Sequence, residues 1–190
     1  EIITVNNIQE LGIESYGEEK ELTAEVEKNS DEKTMQVESE IINNTDNNTN
    51  VKILGEFPTN NSTNNLDSTI NTPIQVEGVD ATVYYTTNEN ATEDINESTN
   101  GWVNDINLVN NAKKYLITIN EMNPDKNAKF TYSASIPADL EYNQKATEGY
   151  TVYYTDAQSN ISNRVEATDV VMTTGDGPIV GQALAGHKGV

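Results

Sequence analysis

Asn127–Ile136 reads NAKFTYSASI, and its strict alternation constrains the chain more than any other feature. Ala128, Phe130, Tyr132, Ala134 and Ile136 share one parity, while Lys129, Thr131, Ser133 and Ser135 take the other. Successive side chains of a β-strand project to opposite faces, so such a run buries one face and wets the other. A helix would scatter the same apolar residues around its circumference. The pattern returns in Leu22, Ala24 and Val26, in Met35, Val37 and Ile41 (the last at a looser spacing), and in Val51, Ile53 and Phe57. Further strand candidates are 74–78, 81–87, 114–120, 150–155, 164–172 and 178–184. No long segment repeats with helical period.

About nine such runs separated by polar loops predict an all-β protein, an antiparallel β-sandwich. Antiparallel sheets tolerate one wet face, which purely parallel sheets rarely do. The loops are rich in Asn and Thr, 27 and 22 residues in the chain, clustered at 41–50, 59–72 and 88–100. Asn, Asp, Ser and Thr hydrogen-bond their own backbone, which favours turns. The same composition scatters Asn-x-Ser/Thr sequons, including Asn43, Asn90 and Asn160.

The net charge of −20 argues against nucleic-acid binding and against anionic membrane surfaces. Residues 1–40 carry twelve acids against three lysines. No stretch approaches the roughly 18 apolar residues of a membrane span. Cysteine is absent, which removes disulfides, thiol catalysis and thiolate metal sites, and favours either the cytosol or a bacterial surface. The single histidine, His187, sits in a Gly-containing tail, so a Ser-His-Asp triad is not expected. Among 31 acids any proposed catalytic pair is uninformative, and no catalytic residue or cofactor is expected.

The expected organisation is an acidic lead-in or linker over 1–19, one sandwich domain over 20–177, and a C-terminal strand or linker over 178–190. TVYYT occurs twice, at Thr82–Thr86 and Thr151–Thr155. The residues flanking the two copies do not match in register, so these are two strands of one sandwich, not a duplicated module. In each Tyr-Tyr pair one ring faces the core and the other faces out. Trp102 and Tyr85 are the candidate surface aromatics for a glycan or protein ligand. Asp46, Asn48 and Asn50 have the opening spacing of a calcium loop, but Val51 and Phe57 occupy the positions that need Gly and an acid, so an EF-hand is rejected and no metal is expected. Glu93, Asp94 and Glu97 earn the same discount.

The stretch KTMQVESEIINNTDNNTNVKILGEFP, with the later FTYSASIPADLEYNQKATEGYTVYY and SNRVEATDVVMTTGDGP, resembles the DUF11-like and related Ig-like repeat modules of Gram-positive and archaeal cell-surface adhesins over about 33–178. The resemblance implies an Ig-like sandwich outside the cell, at the bacterial surface or cell wall, acting as a non-catalytic stalk or adhesin module. Its implied partners are neighbouring modules of the same protein and a host glycan or protein. Some such domains carry a Lys–Asn isopeptide bond formed beside a buried acid, for which Lys33 and Asn163 are the first candidates. A pilus or filament subunit that exchanges its C-terminal segment with a neighbour is the alternative.

Overall fold

The computed structural model describes residues 2–11, 22–27, 33–138, 140–156, 162–166, 170–175 and 182–185. Among these residues all regular structure is β, apart from two single-turn 3-10 helices. One sheet contains β1 (Ile2–Leu11), β3 (Lys33–Asn43), β5 (Thr69–Ile70), β6 (Gln75–Glu77), β9 (Asn127–Ile136) and β13 (Gln182–Ala185). Its order is β13-β1-β3-β9-β5, with β6 also on β9. The second sheet contains β2 (Leu22–Glu27), β4 (Thr49–Glu56), β7 (Thr82–Thr86), β8 (Lys114–Met122), β10 (Lys145–Asp156), β11 (Ser162–Glu166) and β12 (Val170–Gly175). It runs β2-β12-β10-β4-β8-β7, with β11 also on β10.

The alternating run Asn127–Ile136 is β9, and its burial follows the sequence parity: Ala128, Phe130, Tyr132, Ala134 and Ile136 are all buried. Its neighbour β3 runs antiparallel and places Val37 opposite Tyr132 and Ile41 opposite Ala128. Val51, Ile53, Tyr115, Ile117, Ile119, Tyr150 and Val152 form the facing surface of the second sheet. Phe57 meets Tyr132 edge-on at 5.1 Å, and Phe130 meets Tyr150 at 5.4 Å, so the two sheets face each other across one core.

Pairing is antiparallel through the centre of both sheets, whereas β1–β3, β1–β13 and β12–β2 are parallel. Between β1 and β3 the chain contributes β2 to the other sheet before returning, and that crossover lets two strands of one sheet run in the same direction. The segment read as an acidic lead-in thus carries β1, paired along its length with β3.

Asn43 shows how the sheets are pinned together. It closes β3, is fully buried, and accepts from Thr45 N–H at 3.1 Å and from Thr45 Oγ1 at 2.6 Å. Its Nδ2 donates to Asn47 O at 3.0 Å and to Met122 O, at the end of β8, at 2.9 Å. One amide therefore shapes the β3–β4 turn and ties it to the opposite sheet. A buried amide with its hydrogen-bonding capacity used in this way resists replacement.

Candidate functional site

The two TVYYT strands do place one ring on each side. Tyr85 is buried (3 % exposed), whereas Tyr84 is half-buried on the outer face. Tyr154 is buried and Tyr153 lies outside, with Arg164 over its ring at 5.9 Å. Tyr85, anticipated as a surface aromatic, is therefore a core residue. Its hydroxyl accepts from Ile74 N–H at 2.9 Å, and its ring stacks on Phe57 at 6.3 Å. Burial raises its pKa, partly offset by that hydrogen bond. The choice of ring is set by register: β7 pairs Tyr85 with Tyr115 of β8, whose side chain faces inward.

Trp102 is half-buried, and its Nε1 donates to Thr92 O at 3.0 Å. It belongs to a strap, residues 87–103, that crosses the outer face of the second sheet. Leu116 has the outward parity, opposite to Tyr115 and Ile117, yet it is fully buried. Ala91 of the strap is also buried, at 2 % exposed. Two lysines rise from the sheet to hold it: Lys52 Nζ donates to Glu93 O at 3.3 Å and Lys114 Nζ to Ala91 O at 3.0 Å. Desolvation there lowers the Lys114 pKa, opposed by Glu56 and Glu93.

Asn100 is the hub of the strap. Its Nδ2 donates to Thr92 Oγ1 and Asp94 O, both at 2.9 Å, and its Oδ1 accepts from Thr92 N–H at 3.0 Å. Its carbonyl accepts from Thr86 Oγ1 at 2.6 Å. Gly101 then turns the chain at φ 68, a left-handed conformation that suits glycine, and its N–H donates to Ser98 O at 3.2 Å. Two of the three strap acids weighed as calcium ligands serve local turns: Asp94 Oδ1 accepts from Asn96 N–H and Glu97 Oε1 from Thr99 N–H. In the earlier loop Asn48 Nδ2 donates to Glu121 Oε1 at 2.8 Å, while Asp46 and Asn50 are exposed. Of the sequons, Asn43 has its amide buried and committed, Asn90 is exposed, and Asn160 lies outside the described residues, as does His187.

The feature that sequence reasoning missed lies in the core. Glu148 is fully buried, on the inward parity of β10 two residues before Tyr150. Tyr115, Tyr132 and Tyr150, from three strands of both sheets, have pKa values raised by burial and then by the Glu148 charge. Gly55 makes the cluster possible. It lies between Tyr150 and Tyr115 in register, and a Cβ on it would fall 2.0 Å from Tyr115 Cζ. The alternation in KATEGYTVYY puts Glu148 on the Tyr150 face, but nothing in the sequence alone says that this end of the strand is covered on both sides.

Lys33 opens β3 opposite Ile136, and Asn163 lies in β11 opposite Tyr154. Their side chains lie outside the described residues. Tyr154 is six residues along β10 from Glu148, about 20 Å at the usual rise per strand residue, so Asn163 and this buried acid are not brought together.

No family model matches the chain, and no curated protein matches it. Among solved structures, BcpA*(D312A), the major pilin subunit of Bacillus cereus, aligns at 11% identity over 66% of this chain and 30% of its own, with a TM-score of 0.30. A structure titled BspA_C_mut aligns at 11% identity over 68% of this chain and 38% of its own, with a TM-score of 0.28. The chain thus spans well under half the length of either, and similarity at these scores carries no argument about what it does.

Proposed function

We propose that the chain is a non-catalytic, load-bearing module of a bacterial surface protein, an Ig-like β-sandwich acting outside the cell as a stalk or adhesin domain. The sandwich of 20–177 would carry the load, with β1 and β13 clamped to its edge. The parallel placement of these two strands carries the proposal. β1 and β13 run side by side in one direction, Thr4 opposite Gln182 and Asn7 opposite Ala185, and β1 is also parallel to β3 from Ile2 to Leu11. Tension that draws Ile2 and Ala185 apart pulls β1 backward and β13 forward. The hydrogen bonds of both ladders are then loaded together in shear, not peeled one after another. The Cys-free acidic composition and the closely packed aromatic core fit such a role.

Single-molecule pulling tests the reading. Handles at the two ends of the chain should give a higher unfolding force than handles on introduced cysteines at 82 and 118, neighbours across the β7–β8 ladder that separate by unzipping. Removing residues 182–185 should lower the end-to-end force. Equal forces along the two axes would refute the load-bearing role.

A filament subunit is the second reading, favoured by the edge position of β13 on β1, a slot that a strand from another copy could fill. Size-exclusion of the chain with and without 178–190 decides it. Assembly that persists after truncation removes strand exchange from consideration.

A further inference from the structure

Beside the short edge strand β5 lies a groove of about 370 Å³ between residues 67–73 and residues 106–113. Its floor is aliphatic: Ile70, Ile106 and Val109 are partly buried and packed on the core. Its rim carries the exposed amides of Asn107, Asn110 and Asn111. Asp67 and Lys113 are its two ionisable residues and cancel, so the groove is neutral on a chain of net charge −20. Thr59, 5 % exposed, lies in its wall with its hydroxyl buried and lacking a hydrogen-bond partner.

Backbone direction distinguishes the occupant. Asn71 N–H donates to Ser133 O at 2.8 Å, so Thr69 and Asn71 turn their peptide groups toward β9. By alternation Ile70 turns its N–H and C=O away from β9, to the open edge of the sheet, where residues 67–73 and 106–113 line the groove. A donor and an acceptor beside an aliphatic floor suit an added strand, whose main chain bonds the edge while one side chain fills the pocket. The groove has no aromatic platform on which a sugar would stack. We propose that it binds an extended, uncharged peptide segment, paired through its backbone to Ile70 with an aliphatic side chain on the Ile70–Ile106–Val109 floor. The proposal goes beyond the load-bearing reading and does not depend on it.

The test uses the whole chain, labelled with 15N, and an array of N-acetylated, C-amidated hexapeptides randomised at four positions. Hits should be uncharged with an aliphatic residue at one fixed position, and should shift the amides of 67–72 and 106–112. N-methylation of the hit at a single backbone nitrogen should weaken binding about tenfold or more, as should Val109→Asp. Asn110→Ala, an exposed change, gives a second reading should Val109→Asp lower the melting temperature. Absence of hits, shifts elsewhere on the molecule, indifference to N-methylation, or the same shifts produced by a neutral oligosaccharide set would each overturn the proposal. Pulling forces report separately on the load-bearing role, so either idea can fail alone.

Discussion

The second sheet is covered on both faces, and the two covers are built from different interactions. Its inner face meets the other sheet through rings: Phe57, Tyr115, Tyr132, Phe130 and Tyr150 contact one another at centroid distances of 5.0–6.0 Å. Its outer face meets a strap whose side chains include Ile95, Trp102 and Val103, and which is held by hydrogen bonds of Asn100, Thr92, Lys52 and Lys114. Packed rings hold the first, and directed hydrogen bonds tie down the second. Damage to the first should therefore be global, and damage to the second local.

The largest effect is expected at Tyr115 and Gly55. Tyr115→Ala should cost about 3–5 kcal/mol in denaturant unfolding, because a fully buried ring is lost from the centre of the aromatic cluster. Gly55→Ala should act in the same direction, since its methyl would occupy the space of the Tyr115 ring. A Gly55→Ala protein as stable as the parent would show that the ring has somewhere else to go.

High pH comes next. The pKa values of Tyr115, Tyr132 and Tyr150 are raised above the ordinary value of 10.0 by burial and by Glu148. In the unfolded chain these tyrosines lose their protons near pH 10, while the folded chain retains them. Their contribution is therefore constant below that pH and declines as pH rises above it, by up to about 1.4 kcal/mol per pH unit for each tyrosine. Unfolding midpoints measured from pH 8 upward should hold and then drop, and Tyr132→Phe should flatten the drop.

The strap changes should be smaller and confined. Asn100→Ala should cost about 1–3 kcal/mol and open 87–103 to proteases before the sandwich unfolds. Lys114→Met should cost no more than about 1 kcal/mol, the loss of one partly exposed hydrogen bond. Global unfolding coincident with strap cleavage in Asn100→Ala would erase the distinction between the two covers.

What could be read from the sequence follows the same division. In Asn127–Ile136 every residue has its own alternating neighbour, so parity and burial agree along the strand. One ring in and one out was legible for both tyrosine pairs, but which ring faced inward depended on the β8 register, a contact between residues thirty apart. β1 is harder to see because Asn6 and Asn7 interrupt the alternation in IITVNNIQEL, and its partner β13 begins at Gln182. The strap could not be read at all: NENATEDINESTN has loop composition, and only the bonds from Lys52 and Lys114 show why the loop is held. Glu148 was hidden for a similar reason, since an acid on a strand ordinarily marks the wet face.

Asn100 and Gly101 also set how the molecule ages. Asparagine before glycine is the dipeptide in which the following N–H most easily attacks the side-chain amide, because glycine presents no side chain to obstruct the ring closure. Here Gly101 N–H is engaged with Ser98, and the Asn100 amide is held by Thr92 and Asp94, so the two reacting groups are kept in other geometries. Release of ammonia would replace an amide donor with a carboxylate facing the carbonyl oxygens of Thr92 and Asp94, and the strap would loosen. The hydrogen bonds that shape the loop thus also protect its most perishable bond, and a protein that holds its strap closed delays its own chemical decay.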